Sequence, residues 1–362
     1  MDTINSPNIQ SWAKEYGGDY KLYYPKNVED IKLIISKKAN IIPAGSFRSY
    51  GDSAINNSII KSKFLNKIIN FDEKKGILRV QAGSRLKDII NFIVPKGWFL
   101  NVTPGTKYAT IGGCIASDVH GKEHHKYGCF SESLTKIKLL INKNEIIEFD
   151  KKSNSDLFYA TCGGMGLTGF IVEAEIKCLK IQSSQIYYKK VLNDNLDNLF
   201  LCFENYNDYN YSVAWIDTIK RNRGYKSIFT CGNFSDNLNL SLSIRKKTKI
   251  NIPIKFKIVN KFTTFLFNKF YFFFNSLNSK KGYMNFDKFF YPLDNIKNWY
   301  KLYGKNGFIQ YQLIVPKNNG KEALLQILNY LNIADNPSSL AVLKLHGKQN
   351  NNYISFPIEG YS

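Results

Sequence analysis

Arginine is scarce in this chain, supplying only six of its 50 basic residues. A formal charge of +21 invites nucleic acid or an anionic surface as a partner. No recognised nucleic-acid motif accompanies that charge, however, and the crowding of Lys, Asn and Ile reads as compositional bias, so no nucleic-acid partner is expected. Cysteine is sparse and scattered, at Cys114, Cys129, Cys162, Cys178, Cys202 and Cys231. Such spacing is too dispersed for a metal pair and too thin for a disulfide scaffold, so reduced thiols and no metal are expected. No stretch reaches the roughly 18 uncharged apolar residues of a spanning helix. Met1 to Ala13 is polar where a secretory signal needs an apolar run, which points to the cytoplasm. Neither GxGxxG nor GxxxxGK[ST] occurs in its strand and helix context, which removes the usual Rossmann and P-loop readings. Internal repeats and low-complexity linkers are absent too.

What is present is glycine, concentrated in loops of the first half. The 362 residues suffice for two domains. Val28 to Lys38 has helical periodicity with Asn27 as its cap, and a short strand, Asn40 to Pro43, runs into Ala44-Gly45-Ser46-Phe47-Arg48-Ser49-Tyr50-Gly51-Asp52. Ile77 to Gln81 alternates as a strand, and Ser84 is placed to cap a helix over Arg85 to Ile93. Thr103-Pro104-Gly105-Thr106 precedes Thr110-Ile111-Gly112-Gly113-Cys114-Ile115-Ala116-Ser117, a helix start with Thr110 as cap and an almost bare face. Thr135 to Ile141 and Glu145 to Phe149 read as a hairpin around Asn142-Lys143-Asn144, and Ser155 as the cap of a short helix. Thr161 to Gly169 then leads into a strand over Phe170 to Ile176. Beyond about residue 180 glycine thins out, and alternation over Phe308 to Val315 and Leu340 to Leu345 suggests an antiparallel sheet.

Glycine-rich turns ahead of capped helices can offer unpaired backbone N–H groups and the positive end of a helix dipole to a pyrophosphate. Three such loops within about 130 residues suggest one large cofactor. Ile252 to Leu277 interleaves Lys255, Lys257, Lys261 and Lys269 with Phe262, Phe265, Phe267, Phe270, Phe272, Phe273 and Phe274. Its rings could lie on an anionic membrane surface or pack internally.

Gly45 to Asp52, Thr103 to Thr106, Thr110 to Lys122 and Gly163 to Gly169 resemble the FAD-binding domain of the vanillyl-alcohol oxidase or p-cresol methylhydroxylase type. More narrowly, Asp118-Val119-His120-Gly121-Lys122-Glu123-His124-His125, Phe308 to Pro316 and Ala341 to Gly347 resemble the decaprenylphosphoryl-β-D-ribose 2′-oxidase family. The resemblance implies an α+β fold with an FAD-binding domain over 1–178 and an antiparallel-sheet substrate domain over 179–362. It places Gly45, Ser46, Arg48, Ser49, Tyr50 and Gly51 in the first FAD loop. Pro104, Gly105, Thr106, Thr110, Gly112, Gly113 and Ser117 fall at the diphosphate and ribityl regions, and Gly164, Gly169 and Ile171 toward the adenine. His120, Gly121 and Lys122 lie toward the flavin and substrate. Gln310, Gln312 and Lys344 line the substrate pocket with Tyr50 and Tyr291, and Lys344, His120, Gln310 and Gln312 carry catalysis.

Many relatives tether FAD through a histidine of the first loop. Ser49-Tyr50 stands there instead, so noncovalent FAD is expected. The implied activity is oxidation of the 2′-hydroxyl of a polyprenyl-phosphoryl pentose, with a short-chain reductase partner completing an epimerisation and with peripheral contact at the inner face of a membrane. Other readings stay open. These are oxidation of an alditol or aldonolactone, a catalytically silent flavin-binding protein, a structural His120, and a solvated Lys344. The family pattern continues past the match to Phe356–Tyr361, so a fragment or a weakened member is also expected from the sequence.

Overall fold

The computed structural model describes residues 3–38, 40–143, 145–220, 224–242, 250–251, 257–334 and 338–362, with backbone only at 3–8 and 250–251. Asn144 of the hairpin turn and residues 252–256 of the lysine and phenylalanine segment lie outside them.

Strands β1 (Thr3–Gln10) and β2 (Gly17–Tyr23), helix α1 (Val28–Lys37), and strands β3 (Ile42–Ala44) and β4 (Ser58–Lys61) form the first layer. Its sheet runs β1-β2-β4-β3, antiparallel at β1/β2 and parallel elsewhere. Asn27 caps α1 by accepting from the Asp30 N–H at 2.9 Å, as its sequence predicts. Ile31 and Ile34 turn inward, one helical turn apart.

The second layer follows in order: β5 (Ile68–Asp72), β6 (Ile77–Gln81), α2 (Leu86–Ile93), β7 (Trp98–Leu100), α3 (Ile111–Ala116), α4 (His124–Tyr127), β8 (Leu134–Leu140), β9 (Ile146–Phe149), α5 (Ser155–Thr161) and β10 (Phe170–Lys180). Its antiparallel sheet has the order β5-β6-β10-β8-β9, with β7 also on β10. Leu86, Ile89, Ile90 and Ile93 bury one stripe of α2, each contributing on the order of 1.5–3 kcal/mol of apolar burial. Two predicted caps are corrected here. Ser84 does not cap α2, because its hydroxyl donates to the Lys67 carbonyl at 3.4 Å and its carbonyl accepts from Ile111 N–H at 2.9 Å. Helix α5 is capped by Asn154, which accepts from Leu157 N–H at 3.3 Å, and Ser155 is its first helical residue.

The remaining elements are β11 (Gln185–Asn193), α6 (Leu196–Asn205), β12 (Tyr211–Ile216), β13 (Ser227–Phe234), β14 (Ile250–Asn251), α7 (Lys261–Leu277), β15 (Lys281–Asn285), α8 (Phe286–Phe290), β16 (Ile296–Lys297), β17 (Val315–Pro316), α9 (Gly320–Ile333), β18 (Ala341–Leu343), β19 (Leu345–His346) and β20 (Gly360–Tyr361). A five-stranded antiparallel sheet, β15-β11-β13-β12-β18, dominates this half. The fold is therefore α+β. The alternating run from Phe308 forms a ladder only at Val315–Pro316, because no strand among the described residues pairs with 308–314. Leu340 to Leu345 is likewise divided, and Lys344 falls between β18 and β19, exchanging both backbone hydrogen bonds with Ser362 at 2.9 and 3.0 Å. One buried cluster joins the halves, running from Leu78 and Phe99 to Phe286, Phe290 and Tyr291.

Candidate functional site

A cleft opens where β3, α3 and the start of β10 meet. Gly45, Thr110, Gly112, Gly113, Gly169 and Ile171 of the sequence-predicted cofactor set line it. Pro43, Ala44, Ser62, Ala82, Ala116, Met165, Gly166 and Phe170 line it as well; Ala44, Ala116, Met165 and Gly166 lie in the quoted loops but were assigned no contact, and Pro43, Ser62, Ala82 and Phe170 were not singled out. Small side chains are required by the geometry. A Cβ on Gly45 would stand 2.1 Å from Thr110 Oγ1, and one on Gly166, where φ is +81°, 2.9 Å from the Pro43 ring. Thr110 meanwhile caps α3, accepting from Gly113 N–H at 3.3 Å.

The expected row of unpaired N–H groups at this helix start is not what the fold provides. Ile111 N–H donates to the Ser84 carbonyl at 2.9 Å and Gly112 N–H to that of Ala82 at 2.8 Å. The bare face of α3 thus serves close packing, with a Gly112 Cβ 3.0 Å from that of Ala82. Gly164 is also a packing residue, since a Cβ there would meet the Ala160 carbonyl at 2.0 Å.

The first loop, Ser46 to Gly51, leaves the cleft edge and turns toward the second half of the chain. Arg48 lies 4.0 Å over Trp12 and 5.1 Å from the Tyr108 ring, and Tyr50 meets Phe308 edge-on at 5.5 Å. Lys61, which the sequence did not single out, donates to the Gly45 carbonyl and sits 3.5 Å over Phe47. Burial, assisted by the charges of Arg48 and Lys63, pulls its ammonium down to about 7. Loop 104–107 is moored across the halves. Thr106 Oγ1 donates to Asp294 at 2.8 Å, Lys107 N–H donates to the same carboxylate at 2.9 Å, and Lys107 pairs with Asp287. Gly51 and Gly105 both point their missing Cβ into space, with no atom of the described residues beyond their chain neighbours within 4 Å. A cradle of small residues with open glycines fits an extended cofactor such as FAD.

The second cluster surrounds His120. Gln312 Nε2 donates to His120 Nε2 at 3.0 Å, His346 meets that ring at 4.7 Å, and Phe356 stacks on it at 5.9 Å. His124 stacks on His346 at 4.3 Å and accepts from Gly347 N–H at 3.1 Å through Nδ1. Burial holds all three imidazoles neutral, pulling His124 to about 4, His346 to about 2 and His120 well below its ordinary value. Lys344 is part-buried within electrostatic reach of each, and burial lowers its own pKa. Lys122 donates to the Phe290 carbonyl at 3.2 Å and is drawn down to about 8 by burial.

Glu123 was quoted in the sequence motif but given no role. It is fully buried, accepts from Thr103 N–H at 2.8 Å through Oε1, and has no hydrogen-bond partner at Oε2 among the described residues. Burial raises it to about 7 against the opposing pull of Thr103, Lys122 and Lys344. Gly121 makes room for it, as a Cβ there would lie 2.4 Å from Oε1. Two of the assigned residues stand apart. Tyr291 is fully buried with its hydroxyl 2.5 Å from Thr103 Oγ1, so it braces the interface between the halves rather than walling an open pocket. Gln310 is exposed on the unpaired stretch two residues before Gln312.

Asp118 secures this cluster from below. At φ +39° it accepts from Ser131 N–H at 3.0 Å, Asn350 at 2.7 Å, Asn352 at 2.6 Å and Ser355 at 2.7 Å. The carboxylate thereby straps residues 350–356 over the His120 loop, beside Ser117, which ends α3.

A family model described as an FAD binding domain matches residues 21–150. The chain is 31% identical over 336 residues to decaprenylphosphoryl-beta-D-ribose oxidase of Mycolicibacterium smegmatis, covering 89% of this chain and 73% of that protein. It is 26% identical over 200 residues to mouse L-gulonolactone oxidase, covering 53% of this chain but 45% of the relative. Human Delta(24)-sterol reductase is 33% identical over 115 residues, 32% of this chain and 22% of the reductase. The long match takes in most of both chains, and the chain belongs to the family of FAD-binding oxidoreductases that contains decaprenylphosphoryl-β-D-ribose oxidase.

Proposed function

We propose that this chain binds FAD noncovalently and oxidises the 2′-hydroxyl of a polyprenyl-phosphoryl pentose, the first half of an epimerisation that a short-chain reductase completes. In this reading residues 1–178 hold the cofactor and 179–362 cap the substrate, at the cytoplasmic face of a membrane. The observation that carries it is the gathering of Lys344, Lys122 and Glu123 around the His120–Gln312 pair, in a chain so similar to the mycobacterial oxidase.

FAD, when bound, supplies the acceptor for the two electrons and the hydrogen leaving carbon. The chain's own groups handle the proton and the orientation. Lys344, with its ammonium destabilised by burial, is the group placed to take the hydroxyl proton, and the charge of Glu123 favours the ammonium that forms. The hydroxyl carbon becomes a ketone. Gln312 and neutral His120 orient the sugar, and Lys122 favours the phosphate. Noncovalent attachment is supported by the first loop, which lacks histidine, and by the six cysteines, all free and buried.

The test begins with the visible spectrum before and after acid precipitation, followed by anaerobic addition of a short-chain polyprenyl-phosphoryl ribose. Flavin released into the supernatant and bleached by that substrate is the expected result. Flavin retained in the pellet would overturn noncovalent binding. Bleaching by an aldonolactone but not by the lipid-linked sugar would move the activity to that of the lactone oxidases.

A further inference from the structure

Helix α7 is built inside out. Its buried positions are Thr264, Asn268 and Asn275, all 2–9% exposed, whereas Phe262, Phe267, Phe270, Phe273 and Phe274 are 53–69% exposed. Asn268 donates to Asp217 at 2.7 Å, and Lys190 donates to Asn275 at 3.0 Å, so the polar face is fixed against the substrate-side sheet by hydrogen bonds. A capping box at Asn260 and Thr263 anchors the start. Phe267, Phe270, Phe274 and Leu277 follow helical spacing along the outer face, the reverse of the pattern that seats a helix on a water-soluble core.

The surroundings select the occupant of this face. Between residues 237 and 286 the sequence has ten Lys and Arg and no Asp or Glu. Lys257, Lys269, Lys280 and Lys281 are exposed around the rings. A second copy of the chain would bring like charges together, whereas anionic headgroups complement the lysines as the rings enter the acyl boundary. No helix among the described residues is long and apolar enough to cross a membrane, and α7, at roughly 25 Å, suits lying in the plane of one leaflet.

We infer that α7 is an interfacial anchor that docks the protein on an anionic bilayer surface through its outward phenylalanine face. The inference does not depend on the sugar oxidised, and vesicles without substrate test it alone. The flavin-loaded full chain should sediment with phosphatidylcholine–phosphatidylglycerol vesicles and far less with phosphatidylcholine, and added salt should weaken the binding. Phe270→Ser with Phe274→Ser should lower the partition coefficient about tenfold or more. Lys269→Gln with Lys280→Gln and Lys281→Gln should weaken only the anionic case. A Phe274→Trp variant reports directly, since its emission should shift blue on anionic vesicles and be quenched by brominated acyl chains. Failure of the wild type to bind, equal binding by the serine variant, or a tryptophan untouched by brominated lipid would each overturn the inference. So would a dimer that the serine variant dissolves in the absence of vesicle binding.

Discussion

Replacing Asp118 with alanine should release the strap over the His120 loop without unfolding the chain. Asp118 is 1% exposed and receives four hydrogen bonds on one carboxylate. Hydrogen bonds to a charged group contribute about 1.5–3 kcal/mol each, but four converging on one group do not add. Asn350 and Ser355 are half-buried and can turn to water, and Asn352 keeps a second bond to Ser131 Oγ at 2.8 Å. Ser131 N–H, in a fully buried residue, is left stranded. The loss at the strap is then about 3 kcal/mol, with about 1 kcal/mol more for alanine at φ +39°. Beyond Asp118 the segment is held mainly by Tyr353, through Tyr159 and Asp156, and by Phe356 on His120. Three kcal/mol is roughly a hundredfold in a local opening equilibrium. Hydrogen exchange followed by mass spectrometry should show residues 350–356 exchanging about a hundredfold faster, with β6, β8 and β10 unchanged. Asp118→Asn, which tolerates the left-handed backbone and keeps one acceptor, should fall between the two. Unaltered exchange at 350–356, or equal acceleration throughout the chain, would refute the strap.

Gly45→Ala should lower both the melting temperature of the flavin-free protein and FAD retention, because its Cβ collides with Thr110. Gly105→Ala meets no protein atom and should weaken FAD binding alone, by about tenfold, in a fluorescence titration. Glu123 binds a proton more tightly folded, near 7, than unfolded, near 4.5, so its stability contribution is complete below about 4.5 and lost as pH rises through 7. The stability difference between wild type and Glu123→Gln, from urea melts, should therefore fall by a few kcal/mol across that window, and a flat difference would refute the raised pKa. Lys344→Met should cut kcat about 10²–10³-fold with flavin still bound, measured by stopped-flow bleaching, if its amine takes the hydroxyl proton.

Local chemistry made the frame of the fold legible. Asn27 and Thr110 cap where their side chains and spacing say they should, because an N-cap bond depends on residues three apart. Ser84 failed for a tertiary reason, since its hydroxyl and carbonyl are claimed by Lys67 and Ile111. Several of the glycines line the cleft, yet not as a row of free donors, as the Ile111 and Gly112 N–H groups are spent on protein carbonyls and the glycines admit close packing. Phe308 to Val315 has the period of a strand, yet period alone supplies no partner. Lys61 and Glu123 look like surface charges in sequence. Their burial depends on contacts across 16 and 20 residues, to Gly45 and Thr103, and only Gly121 beside Glu123 hints that a side chain must fold back there.

The charge balance around His120 bears on what the site receives. Three imidazoles are held neutral, leaving Lys122 and Lys344 against the single carboxylate of Glu123, which burial pushes toward its neutral form. Buried ammonium groups in excess of carboxylate are costly because desolvation is not offset by pairing. The same excess becomes favourable when an anion enters, since an incoming phosphate supplies the missing countercharge where the dielectric is low. A neutral lactone offers no such compensation. On the reading proposed above, this excess favours a phosphorylated sugar over a free one through Lys122, while the same cost of an unpaired buried ammonium favours proton loss at Lys344, the group proposed to take the hydroxyl proton.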